Sequence, residues 1–281
     1  MKVALLTSGG IAPCLSSSIG RLAEQYYANY PNVEIIGYLN GYKGLLLGNS
    51  IPIEKSDFTT LYSFGGTPIG NSRVKLTNKE DCINNGYINP NQDPLEVAAM
   101  QLKADGVDIL HTIGGDDTNT TAGDLVDYLD KNSYKLTVVG LPKTIDNDVY
   151  PISLTLGAIT AAQQTAHFFE NIVNENTTSS RQLIIHEIMG RNCGWLTAKA
   201  SQIYLENLNK KTFVPGLNIL KEKWSVHAVY IPESDIQLDD EINRLNKVMD
   251  EYDCVNIFLS EGAGINSIIS DMEKENLEIP K

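Results

Sequence analysis

The chain has 281 residues, 42% hydrophobic and 20% charged, enough apolar material for one large domain or two moderate ones. A formal net charge of −13 argues against nucleic acid as a main partner, since a phosphate backbone needs a basic patch, but a few local cations suffice for small phosphorylated substrates. No stretch approaches the roughly 18 apolar residues of a membrane span. The run Val3–Leu6 is too short for the core of a secretory signal, and Cys14, Cys82, Cys193 and Cys254 lack CxxC spacing. These features predict a cytoplasmic protein with reduced thiols and no membrane or zinc site.

Lys2–Thr7 reads as a buried parallel strand, short and apolar. It breaks at Ser8-Gly9-Gly10, and a helix is expected over about Leu15–Ala28. Glycines between a strand and a helix let backbone N–H groups approach an anion, although the same pattern makes ordinary tight turns. Val33–Tyr38 is a second strand, followed by a loop at Asn40–Gly44. Gly65–Arg73 is a second Gly-rich loop leading to Lys75, suited to a flexible phosphate lid or to a solvated surface loop. Pro94–Lys103 predicts a helix with Asp93 as its N-cap.

A strand at Val107–Ile113 runs into Gly-Gly-Asp-Asp-Thr, and a helix follows over Thr118–Leu129. A strand at Leu136–Leu141 runs into a loop, Pro-Lys-Thr-Ile-Asp-Asn-Asp, and a long helix is expected near Ser153–Asn174. Strands at Gln182–Glu187, Val226–Ile231 and Val255–Leu259 then alternate with helices at Trp195–Leu208 and Ile236–Glu251. The alternation predicts an α/β fold with a doubly wound parallel sheet, and a domain boundary falls near residue 145.

The loops at the strand ends hold the candidate chemistry, because open α/β sheets bind ligands there. Asp116, opening a helix after a Gly-Gly turn, could hold Mg²⁺ against a phosphate. Asp116 and Asp117 could also simply cap that helix, though two adjacent aspartates exceed what capping needs. Asp146 and Asp148 flank Asn147, and on an extended segment they would project to one side, one as a base and one supporting it or a metal. An acidic turn is the alternative. His111, His167, His186 and His227 read as structural, and Cys193 as packing.

Seven motifs resemble the phosphofructokinase family and come in its order: SGG at 8–10, GGTPIGNSR at 65–73, GGDDT at 114–118, PKTIDND at 142–148, MGR at 189–191, IPE at 231–233 and SEGAG at 260–264. Asp117 and Lys143, in place of the glycines usual in ATP-dependent members, resemble the pyrophosphate-dependent branch. The resemblance implies two Rossmann-like three-layer domains with mostly parallel sheets. It implies a donor domain at 1–145, rejoined by 252–281, and a fructose 6-phosphate domain at 146–251.

It also implies an Mg²⁺-dependent transfer from pyrophosphate to carbon 1 of fructose 6-phosphate, in a homodimer or homotetramer. By position, Gly9, Gly10 and Arg73 would meet the donor, Asp116 the metal, and Lys143 the donor oxyanions and the group in transfer. Asp117 would lie where a nucleotide's α-phosphate sits, where two like charges ~4 Å apart repel by about 4 kcal/mol at an effective dielectric of ~20. Asp146 would take the C1 hydroxyl proton with Asp148 in support. Thr144 and Ile145 would border the sugar, Met189, Gly190 and Arg191 would hold its phosphate, and Glu233 its hydroxyls.

Arg181 stands one position off the register of an arginine that reaches a neighbouring subunit in ATP-dependent members. The family pattern continues past SEGAG to a further sugar-phosphate segment, so a fragment and a short divergent form are both expected readings. A non-catalytic member and an ATP-dependent enzyme are the competing functions, and sedoheptulose 7-phosphate is an alternative acceptor.

Overall fold

A computed structural model describes residues 1–274, apart from the side chains at 266 and 271. The chain forms two compact units, one of residues 1–145 and 149–157, the other of residues 146–148 and 158–281.

The first unit contains β1 (Lys2–Thr7), α1 (Leu15–Asn29), β2 (Glu34–Tyr38), α2 (Tyr42–Leu47), β3 (Ser50–Pro52), α3 (Phe58–Leu61) and α4 (Lys79–Asn84), then α5 (Pro94–Ala104), β4 (Ile109–Gly114), α6 (Asp116–Lys131), β5 (Thr137–Thr144) and β6 (Leu156–Gly157). Its sheet has the order β3-β2-β1-β4-β5-β6. All pairs are parallel except β2 with β3. Alternation along β1 explains the layers. Val3 and Leu5 pack with Leu15, Ile19 and Ala23 of α1, while Ala4 and Leu6 pack with Tyr42, Leu45, Leu102 and Leu125 on the other face. In α1 the buried Leu15, Ile19 and Ala23 recur every fourth residue, the stripe that a helix needs to cover a sheet.

Strand order sets the site. β1 pairs with β2 on one side and β4 on the other, so the loops leaving β1 and β4 lie next to each other at the carboxyl edge. Ser8 N donates to the Ile113 carbonyl at 3.0 Å across that junction. This is the topological switch point at which such sheets bind ligands.

The second unit contains α7 (Ala158–Ile172), β7 (Gln182–Ile188), α8 (Trp195–Leu208), α9 (Lys221–Trp224), β8 (Ala228–Tyr230), α10 (Leu238–Tyr252), β9 (Cys254–Ser260) and α11 (Ile265–Lys274). Its three strands are parallel in the order β7-β9-β8. Phe169 and Phe258 are fully buried and meet edge to face, with centroids 4.6 Å apart, and Tyr204 closes the group. Truncating either phenylalanine to alanine would cost about 3–5 kcal/mol.

The α/β class and mostly parallel sheets match the expectation, and several boundaries move. Asn40–Gly44 is not all loop: α2 begins at Tyr42, behind Gly41 at φ +65°. The long helix is shorter, Ala158–Ile172. Residues 252–274 do not rejoin the first unit, because β9 is the central strand of the second sheet. The remainder of that predicted return, 275–281, lies outside the described residues.

Candidate active site

In the first unit, the Gly65–Arg73 loop is fastened to the end of β1 instead of standing free as a lid. Thr7 Oγ1 donates to the Gly70 carbonyl at 2.7 Å and Ser8 Oγ to the Ser72 carbonyl at 2.9 Å. Gly9 N donates to the Ser72 carbonyl at 2.9 Å, and the Asn71 amide donates to the Gly9 carbonyl. Gly9 stands at φ +84°, a left-handed conformation that a side chain rarely adopts. Downstream, Val74 and Leu76 are buried while Arg73 and Lys75 are exposed. This period-two alternation turns both cations away from the core. They line a cavity of about 550 Å³ together with Gly9, Gly10, Asp116 and Asp117.

Lys143 is not in a loop. It lies in β5, pairs in register with Leu156 of β6, and is buried. Its Nζ donates to the Gly10 carbonyl at 2.5 Å. Burial, and secondarily the Arg73 charge, pull its pKa below the usual lysine value, while Cys14 works weakly the other way. Thr144 ends the same strand, and its carbonyl accepts from Thr155 Oγ1 at 2.7 Å.

Asp116 and Asp117 open α6 behind its N-cap, Gly115, and both are exposed. Asp117 pairs with Lys75, with Nζ to Oδ2 at 2.8 Å, and both side chains are well exposed. Lys75, which the sequence offered only as a lid cation or a solvated charge, is the partner of Asp117. Its place in the Arg-Val-Lys-Leu alternation was the available signal.

The candidate metal ligand, Asp116, is exposed, and no group of three or more His, Cys, Asp or Glu side chains forms a metal cage among the described residues. That donor set fits Mg²⁺, which takes one or two carboxylates and fills its shell with water and substrate phosphate.

In the second unit, the three strand ends gather the remaining residues at one carboxyl edge. Met189, Gly190 and Arg191 follow β7, Glu233 follows β8, and Glu261 follows β9. Met189 and Arg191 are exposed, and Arg191 Nε lies 4.0 Å from Glu261 Oε1. Both Glu233 oxygens accept from Gly194 N, at 2.8 and 3.0 Å, at the start of α8. Glu233 thus caps a helix whatever else it binds.

Asp146 and Asp148 count with this unit, while Ile145 ends the first. The segment is not extended, since Asn147 stands at φ +55°. The same-side argument fails, yet the carboxylates still interact. Burial raises the Asp146 pKa above the ordinary carboxylate range, and Asp148 and Glu261 push it further. Arg181 pairs with Asp250 at 2.7 Å, and its N–H donates to Asp253 at 2.9 Å, so it braces α10 and the start of β9. No helix among the described residues is long and apolar enough to cross a membrane.

Each unit is an α/β layer whose polar loops lie at the carboxyl ends of parallel strands, the edge at which such sheets bind ligands. The phosphofructokinase family model matches residues 2–279, and the chain belongs to that family. It is 55% identical to a pyrophosphate–fructose 6-phosphate 1-phosphotransferase of Methylomonas methanica, over all of this chain and 69% of that protein. It is 54% identical to the protein of the same description from Methylotuvimicrobium alcaliphilum, with the same coverage. The chain thus spans about 70% of the length of these relatives. A solved pyrophosphate-dependent phosphofructokinase from Nitrosospira multiformis shares the fold at a TM-score of 0.72 and 18% identity, covering 98% of this chain and 66% of that one.

Proposed function

We propose that this protein transfers a phosphoryl group from pyrophosphate to the C1 hydroxyl of fructose 6-phosphate, reversibly, giving fructose 1,6-bisphosphate and phosphate. The observation that carries the reading is Lys143, a buried ammonium in the sheet at the Gly9–Gly10 loop. A cation fixed there suits the compact charge of a diphosphate. Asp117, at the start of α6, opposes the additional phosphate of a nucleotide.

In this reading Gly9, Gly10 and Arg73 bind the donor. Asp116 holds Mg²⁺, which neutralises phosphate charge when bound. Met189, Gly190 and Arg191 take the sugar phosphate, Thr144 and Ile145 border the sugar, and Glu233 meets its hydroxyls. Asp146 accepts the C1 hydroxyl proton as the C1–O–P bond forms and the bridging P–O bond of pyrophosphate breaks. Its pKa, raised by burial and by Asp148 and Glu261, makes it a stronger base than an ordinary carboxylate. Asp148 supports it. A cytoplasmic homodimer or homotetramer belongs to the same reading.

The test is fructose 1,6-bisphosphate formation from fructose 6-phosphate and Mg²⁺ with either pyrophosphate or ATP. Turnover with pyrophosphate alone is expected. Preference for ATP, or no turnover with either donor, overturns the proposal. Calorimetry tests the metal separately: Asp116→Ala should abolish the Mg²⁺-dependent gain in pyrophosphate affinity, and an unchanged gain removes Asp116 from that role.

A further inference from the structure

Three contacts hold the turn at residues 189–194 in the second unit. Ser260 Oγ donates to the Gly190 carbonyl at 2.5 Å. Gly262 sits against Arg191 so closely that a Cβ there would fall 1.7 Å from the Arg191 carbonyl oxygen. Glu233 receives Gly194 N with both oxygens. The turn is thereby fixed to the ends of β8 and β9.

A fourth contact runs outward. Cys193 Sγ donates to the Asp146 main-chain carbonyl at 3.3 Å. The next residue, Asn147, holds a left-handed φ, uncommon for a residue with a side chain, so local preference alone does not set this segment. Burial raises the Cys193 pKa against an opposing bond from the Trp195 backbone, and Glu233, Asp148 and Asp146 add smaller upward shifts. The thiol therefore keeps the hydrogen it donates.

We propose that Cys193 is a positioning residue that ties the Asp146 segment to the Met189–Gly194 turn, and so sets the angle of the base. The proposal rests on the reading of Asp146 as the base. A thiol that donates to the base segment from inside the Met189–Gly194 turn couples the two parts.

The experiment compares Cys193→Val, which keeps the volume and loses the donor, with Cys193→Ser, which keeps a donor. In Cys193→Val, kcat should fall roughly tenfold, as expected of a small displacement of a reacting group, with KM for pyrophosphate unchanged. Cys193→Ser should recover most of it. Wild-type kcat in the valine variant, or a serine variant as impaired as valine, overturns the proposal. Hydrogen–deuterium exchange of the peptide spanning 143–150 reads the tie without the reaction. Exchange should quicken in Cys193→Val and stay near wild type in Cys193→Ser, and equal exchange in all three overturns the proposal. If the wild-type chain turns over neither donor, the proposed function falls, and exchange alone decides the role of Cys193.

Discussion

Lys143 in the first unit and Asp146 in the second meet burial with opposite charge. Burial lowers the lysine's pKa, helped by Arg73, and raises the aspartate's, helped by Asp148 and Glu261. Both shifts run toward the neutral form, because a low dielectric penalises charge of either sign. Their fastenings differ. Lys143 is a strand residue, held by sheet pairing and by the Gly10 carbonyl. Asp146 lies in a kinked segment tied by its main chain to Cys193. On the proposed assignment, the donor half is set by secondary structure, and the acceptor half by contacts between loops.

The largest expected effect removes the acceptor half's chemistry. Asp146→Asn should lower kcat by about 10²–10⁴-fold with substrate binding retained, as steady-state kinetics and calorimetry would show. The same variant should be more stable at neutral pH. A raised carboxyl pKa means that the native state binds more protons than the unfolded state between the unfolded value and the raised folded value. Stability therefore falls as pH rises through that window and stays lowered above it. Removing the charge should raise Tm at pH 7 by roughly 2–4 °C per kcal/mol released and flatten Tm across the mildly acidic range. A variant no more stable than wild type would mean that its neighbours already offset the burial.

The donor half should yield next. Replacing Asp117 and Lys143 together by glycine should lower kcat/KM for pyrophosphate and admit some ATP. The shift in donor ratio should fall well short of the thousandfold that an unpaired Asp117 would give, since Lys75 already neutralises it. An unchanged ratio in two-donor kinetics would remove this pair from donor selection. Lys75→Met alone removes a cation from the donor cavity and should raise KM for pyrophosphate by about two- to fivefold with kcat nearly kept. The smallest effect is structural: Glu233→Ala should lose a helix cap worth about 1 kcal/mol, read as a fall in Tm, beyond any loss of sugar binding.

The sequence made much of this legible. β1, α5 and α8 announce themselves by a short apolar run, by Asp-Pro at a helix start and by helical periodicity. The motif loops fall at strand ends because glycine and aspartate break strands. Three features were hidden, each depending on a partner distant in the chain. Lys143 reads as loop after Pro142, and only β6 makes its position a strand. Lys75 reads as a solvated charge until α6 brings Asp117 to it. Cys193 reads as packing until the kink at Asn147 turns the Asp146 carbonyl toward it. Local propensity carries no record of such pairings.

The burial of Lys143 bears on how easily this protein could change its donor. The ammonium and its aliphatic stem fill interior space, and the Gly10 carbonyl relies on it as a partner. Exchanging Lys143 for glycine leaves a void before any new donor binds. Exposed Asp117 carries no such penalty. A lineage drifting between donors would cross more easily through residue 117 first, with 143 following only once neighbouring side chains had grown into the gap. In the proposed reading, donor choice is thereby buffered against single mutations by the packing of the sheet that displays Lys143.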